Sequence, residues 1–223
     1  MSSALRHAGH GLARRLRPLI PARLADGGRF FVFRVPAVAA EPAPGVRGVA
    51  LGPADLPRLA ACRAMVDPSE GARRLARRFE AGAVAFGLEE GEDLLGYCWG
   101  RVGGYVAEDA DRYRMDLGPS DAYVFDAWLT PGARHRGLFE PLVAVTQRGL
   151  ATLGARRFLS TVAAGNAVSL RVHARIGATW LETVAYASLV GVTMHASRSP
   201  LGTRVQLGDR DFVSRVTRSP EVP

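Results

Sequence analysis

The sequence predicts an α/β domain on a mixed sheet, and three observations predict it. Strand-like apolar runs alternate with segments of helical period along most of the chain. The run 122–129 (Ala-Tyr-Val-Phe-Asp-Ala-Trp-Leu) leads through a short basic turn into a helical pattern at 138–153. A second strand–helix pair, 157–162 and 167–176, follows at once, with Gly154 and Gly177 as helix stops. The length of 223 residues allows one domain with a sizeable core plus extensions.

In order, residues 1–27 read as a basic helical segment and 30–35 as a short strand. Residues 36–45, with Pro42 and Pro44, read as a linker. A compact domain is expected over 46–195, after a basic extension and linker at 1–45 and before a tail at 196–223. Within it, 46–51 is a strand. Pro53 opens a helix with Leu56, Leu59, Ala60 and Arg63 at helical spacing, and 68–81 is a second, Arg-rich helix. Residues 83–88 and 94–106 are strands around an acidic turn at 89–93, and 108–120 is a polar loop. Residues 180–189 and 192–195 form a hairpin around Gly191, and 203–207 is one short strand-like piece.

The net charge is +8, and every one of the 29 basic residues is Arg. With many Ala, Gly and Pro, this points to a GC-rich bacterial genome. Arg6, Arg14, Arg15, Arg17 and Arg23 precede the first acid, Asp26. Such an arm is either a solvated extension or a weak contact for a membrane surface or acidic partner. It has no interleaved aromatics, and the chain has no nucleic-acid motif. Arginines interrupt any apolar core at the start, so no secretory signal is expected, and no run is long enough to span a bilayer. Cys62 and Cys98 form neither a disulfide framework nor a zinc pattern, so no metal is expected. Both read as reduced, buried thiols, and the expected compartment is the cytoplasm.

The turn itself is Pro131-Gly132-Ala133-Arg134-His135-Arg136-Gly137-Leu138-Phe139. Backbone N–H groups at a helix start have no partner in the helix, and the helix dipole favours an anion there. Arg134 and Arg136 add charge, and Gly137 allows close approach of the backbone. Together they describe a site for a phosphate-bearing ligand.

Two motifs give a resemblance. Pro131-x-x-Arg134-x-Arg136-Gly137-x-Phe139 resembles the acetyl-coenzyme A loop of the GCN5-related N-acetyltransferase (GNAT) superfamily. Asn166-x-x-Ser169-Leu170-x-Val172-His173-x-Arg175-Ile176-Gly177 is similar to that superfamily's later motif. The resemblance covers about residues 46–195. It implies a mixed, splayed central sheet flanked by helices in a single catalytic domain, with acetyl-CoA as acyl donor. It implies that Arg134, His135, Arg136, Gly137, Leu138 and Phe139 meet the pyrophosphate. The backbone of Leu129 and Thr130 would pair with the pantetheine arm, and Asn166 would lie near its reactive end. Phe139 stands where a small residue is usual, so its ring either crowds the ligand or turns into the core. Ala178 replaces the usual aromatic after Gly177.

The implied activity is transfer of an acetyl group to a primary amine of a small molecule or amino-acid-like acceptor by direct attack. His173 holds the position that resembles the superfamily's proton donor to the leaving sulfur; otherwise it is a packed helix-face histidine. Asp126 resembles an acid that orients or deprotonates the amine; otherwise it is paired with an Arg. Strand alternation puts Asp126 opposite Tyr123 and Phe125, unless a bulge intervenes. Tyr123 lines the acceptor pocket or belongs to the core. Trp180, Tyr186, Arg73, Arg74 and Glu70 are possible lining groups. The alternatives are a coenzyme A-binding regulatory protein without turnover, and an acyltransferase for a longer thioester. Homodimerisation through the late strands is compatible with either.

Overall fold

The computed structural model describes residues 25–63, 68–108, 113–189, 192–208 and 212–214. The arginines of the basic arm, the segment 1–24 and the end of the tail lie outside these residues. In chain order the elements are β1 (Ala25–Val35), β2 (Val46–Leu51), α1 (Leu56–Arg63), α2 (Pro68–Glu80), β3 (Val84–Glu90), β4 (Asp93–Glu108) and β5 (Tyr113–Leu129). They continue with α3 (Phe139–Thr152), β6 (Arg157–Ala163), α4 (Ala167–Arg175), β7 (Thr179–Leu189), β8 (Val192–Ser199), β9 (Gly202–Gly208) and β10 (Phe212–Val213).

The strands form one sheet in the order β2-β3-β4-β5-β6-β1-β7-β8-β9, with β10 on β5. Among the described residues only β5–β6 and β5–β10 are parallel, so the sheet is mixed and mostly antiparallel. The strand–helix–strand unit β5-α3-β6 is a parallel crossover, and its helix supplies the length that such a connection needs. β1 lies between β6 and β7 and pairs with both.

Helices cover both faces. On one, Leu142, Val143 and Leu150 of α3 pack on Leu88, Cys98, Ala122, Val124 and Phe158. On the other, Leu59 of α1 and Leu75 of α2 pack on Ala85, Tyr97 and Trp99. The same face continues over the second half of the sheet, where Phe30, Val32, Tyr123, Leu159, Val184 and Phe212 meet. Capping follows the residue types: the Asp55 carboxylate accepts the Gly52 N–H at 2.9 Å before α1, and the Asn166 side chain accepts the Ser169 N–H at 3.1 Å at the start of α4.

The expected loop at 108–120 is corrected: β5 begins at Tyr113, and residues 113–117 pair with 104–108 of β4. The physical reason is a period of two, with Tyr113, Met115 and Leu117 buried and Arg114 and Asp116 facing out as an ion pair of 2.7 Å. The tail region likewise holds the end of β8, all of β9, and β10. β9 is an edge strand that leaves Val205 and Leu207 exposed beside Met194 of β8.

Candidate active site

β5 has β4 along one edge. On its other edge β10 pairs with Tyr113 and Arg114, and β6 pairs only with Asp121, Ala122 and Tyr123. Beyond Tyr123 the strands part, so 124–129 carry strand pairing to β4 alone among the described residues. This is the expected splay. Its foot is clamped by Asp121, which accepts from Arg157 Nε at 2.7 Å and Nη2 at 2.6 Å and from the Gly118 N–H at 2.8 Å. Just above, the Tyr123 and Thr161 hydroxyls meet at 2.5 Å.

The parted edge contains a bulge. Tyr97 stands opposite Trp128 and Trp99 opposite Phe125, so Asp126 and Ala127 share the single partner Cys98. Asp126 takes φ 47, a left-handed conformation that Asp tolerates better than most residues. The extra residue breaks the strict alternation and turns the carboxylate toward α1 and α2. There Arg63 Nη1 donates to both carboxylate oxygens at 2.7 Å, and Arg78 Nη1 donates to Oδ2. Arg78 lies 5.3 Å from the ring centres of both Trp99 and Phe125, and Arg63 lies 5.4 Å from Trp128. The result is a carboxylate between two guanidiniums above an aromatic floor. Burial, together with the Asp126 charge, pushes the neighbouring Tyr97 phenol up to about 12.

The basic turn follows. Thr130 donates its N–H to Leu95 at 2.9 Å, which ties it to β4, and accepts from the N–H groups of Ala133 and Arg134. His135 and Gly137 both have left-handed backbones, at φ 66 and 72, and wrap the exposed turn around Arg136. Arg134 stacks on Trp128 at 4.7 Å and donates Nε to the Leu129 carbonyl at 3.2 Å. Arg136 grips Glu90 at 2.6 and 3.2 Å, and this bond holds the Glu90 carboxyl below its usual range. Leu138 is buried in the α3-side core, and the Phe139 ring packs against the same cluster. The ring thus turns into the core. No side chain caps the first turn of α3.

His173 is buried on α4, 5.2 Å from the Phe33 ring. Its Nδ1 lies 2.8 Å from the Ser169 carbonyl, which can only accept, so Nδ1 carries the proton. Nε2 lies 2.9 Å from the Ser160 hydroxyl on β6. Burial pushes its pKa down, against a smaller upward effect of the Ser169 bond. The neutral ring therefore accepts from Ser160 through Nε2. Asn166 is exposed at the start of the same helix.

The structure brings Asp126, Leu129, Thr130 and the turn 134–139 together along one strand end. Trp180 on β7 donates to Thr183 at 3.0 Å, Tyr186 packs on the core around Val184, and Arg73 and Arg74 are exposed on α2. The Glu70 side chain, His7 and His10 lie outside the description. The residues that sequence reasoning missed at the site are Arg78, Trp99 and Ser160, together with the role of Arg63. A signal existed for two of them: Arg63 falls in the apolar stripe of α1 beside Leu59 and Ala60, and Arg78 lies three residues after Leu75 on α2.

Both thiols are free and buried, and burial pushes Cys62 up to about 11 and Cys98 up to about 12. Among the described residues no group of three or more His, Cys, Asp or Glu could hold a metal ion, and no helix is long and apolar enough to cross a membrane. A cleft of about 530 Å³ between the start of β2 and α3, lined by Glu41, Val46, Val145 and Arg148, shares no residue with the site above.

No family model and no curated protein matches the sequence. Solved structures do. A protein from Novosphingobium aromaticivorans described within the GNAT family of acetyltransferases aligns at TM-score 0.50 and 22% identity, over 74% of this chain and 64% of that one. A tandem GNAT protein of the clavulanic acid biosynthesis pathway aligns at TM-score 0.53 and 16% identity, over 75% and 55%. A conserved protein of unknown function from Staphylococcus epidermidis aligns at TM-score 0.55 and 10% identity, over 79% and 65%. The chain therefore spans less than two thirds of each of these proteins. At such identities the likeness is one of fold, and the fold is GNAT-like.

Proposed function

We propose that this protein is an acyl-CoA-dependent N-acyltransferase that moves an acetyl group to an amine by direct attack. The observation that carries this reading is the unpaired edge of β5 at 124–129, which ends in the basic turn and the uncapped start of α3. An extended, amide-bearing arm can add to such an edge as a strand does. A pyrophosphate at its end meets Arg134, Arg136 and the backbone N–H groups at the start of α3. The residues present thus fit coenzyme A, which supplies the activated thioester. Arg136 must exchange Glu90 for the phosphate, and both groups are exposed enough for that exchange to cost little.

In the reaction the amine nitrogen bonds to the thioester carbon, the carbon–sulfur bond breaks, and the sulfur leaves with the electron pair. The ammonium proton goes out to water, and a proton returns to the sulfur. Asp126 is ill suited as the base, because both of its oxygens already accept from guanidiniums. It enters this reading as a positioning group, and His173 enters it as the tie between α4 and Ser160. The same engagement of both residues favours a second reading, in which the protein binds coenzyme A and does not turn over.

The test is isothermal titration with acetyl-CoA of the native protein, Gly137→Ala and Gly137→Glu. The left-handed backbone makes either substitution cost about 1–2 kcal/mol of stability. Gly137→Ala should still bind, while Gly137→Glu, with an anion facing the pyrophosphate, should not. A native protein that does not bind acetyl-CoA overturns both readings. Tight binding with no thiol release across a broad amine panel selects the second.

A further inference from the structure

Arg63 and Arg78 hold more positive charge at the bulge than Asp126 neutralises. Their side chains are only 29% and 23% exposed, and that of Asp126 is 16% exposed. Asp126 engages only Nη1 of each guanidinium. Among the described residues, Nε and Nη2 of neither arginine meet an acceptor, and Asp126 is the one carboxylate that either meets. The Nε–Nη2 edge is the fork that binds a planar oxyanion with two parallel hydrogen bonds. Arg134 adds a third guanidinium at Trp128, 4.7 Å from its ring centre, where Arg63 lies at 5.4 Å. The aromatic floor relieves part of the cost of half-burying these cations, and an anion relieves the rest.

We infer that this pair of guanidiniums, beside the bulge and against Trp128, binds a carboxylate of the substrate through the open edges of Arg63 and Arg78. The inference rests on the acyltransferase reading and deepens it. A simple alkylammonium acceptor is repelled by the net charge, whereas a carboxylate draws the substrate in and places its reacting end at the parted strand edge. The carboxylate belongs either to the amine acceptor, as in an amino acid, or to a dicarboxylic acyl group on the donor. The binding chemistry is the same in both cases. Asp126 serves as the counter-ion that sets the spacing of the two forks.

The experiment measures thiol release and equilibrium binding in two arms. The first arm gives the protein acetyl-CoA with phenylalanine, phenylalaninamide and phenethylamine, and with 4-aminobutyrate against butylamine. The second compares succinyl-CoA with acetyl-CoA on butylamine. Titrations of the coenzyme A-loaded protein with N-acetylphenylalanine and its amide, and with succinate, supply the binding readout. A preference of roughly 10- to 100-fold for the carboxylate member is expected in one arm, the size of a charge-assisted pair. Arg63→Gln and Arg78→Gln should each remove most of it while coenzyme A still binds, which also shows that the variants are folded. Asp126→Asn keeps a residue that accepts the left-handed backbone and adds one net positive charge, so it should tighten the carboxylate member. Coenzyme A binding with no carboxylate preference in either arm, by turnover or by binding, overturns the inference and leaves the acyltransferase reading standing. No coenzyme A binding at all overturns that reading, and the inference with it.

Discussion

His173 has its two ring nitrogens fixed by different partners, and that fixes what pH does to it. Nδ1 donates to the Ser169 carbonyl, Nε2 accepts from Ser160, and burial holds the pKa below the ordinary value of 6.5. The folded protein therefore binds a proton at this residue less readily than the unfolded chain. Stability from this group is unaffected well above pH 6.5 and falls as pH drops below it, until the lowered folded value is reached. His173→Gln should cost about 1–2 kcal/mol at pH 7.5, through loss of one or both hydrogen bonds. It should also show a smaller loss of denaturant midpoint between pH 7.5 and 5.5 than the native protein. Equal losses in the two proteins would mean that the ring is not held neutral. At this scale the sequence exposed His173 as a candidate through its place in the second motif, and Asp126 through its place on the strand that leads into the basic turn. Pairing of Asp126 with an arginine and a bulge in its strand were both among the readings, but which arginines and where the bulge falls were not legible. Arg63 and Arg78 lie 63 and 48 residues from Asp126, and the local rule of alternation does not locate the bulge that points the carboxylate at them.

At the scale of elements, the parting of β5 from β6 needs a fixed foot, or the two strands would zip further or come apart. Asp121 provides it. Its side chain is 6% exposed, and it lies opposite Arg157 in the first parallel pair. Removing one member of such a pair leaves a half-buried charge without its counter-ion. Asp121→Ala should lower the unfolding free energy by about 3 kcal/mol in urea denaturation. A loss near zero would show that other contacts hold the foot. Strands and helices whose pattern is local were legible: β2, β3, β6, α3 and α4 fall within a residue or two of their expected places. The first half of β5 was not, because Arg114 and Asp116 make the stretch look polar while Tyr113, Met115 and Leu117 carry the burial. The splay itself came from family resemblance, since nothing in the period of either strand says where pairing stops.

At the scale of the whole molecule, the order β6-β1-β7 is the feature that local sequence least reveals. The run 30–35 announces a strand, but the proline-rich stretch after it separates it from everything nearby, and its partners lie more than 120 residues further on. Among the described residues, those two ladders make β1 the one strand-paired connection between the half of the sheet that carries the parted edge and the half formed by β7, β8 and β9. Its centre, Val32, is fully buried among Phe30, Leu159 and Val184. Non-local pairing of this kind returns its loop-closure cost only when both neighbours are in place, so the late strands and β1 should fold as one cooperative unit. Two changes grade that dependence. Val32→Ala should cost about 2 kcal/mol and keep a single sharp transition, because it removes two buried methyl groups and no hydrogen bond. Deleting residues 25–35 should abolish the cooperative thermal transition measured by circular dichroism, because β6 and β7 would then lose their shared neighbour together. A deletion variant that still melts in one sharp step would mean that β6 and β7 can close on each other, and that the early strand is a supplement to a sheet already complete.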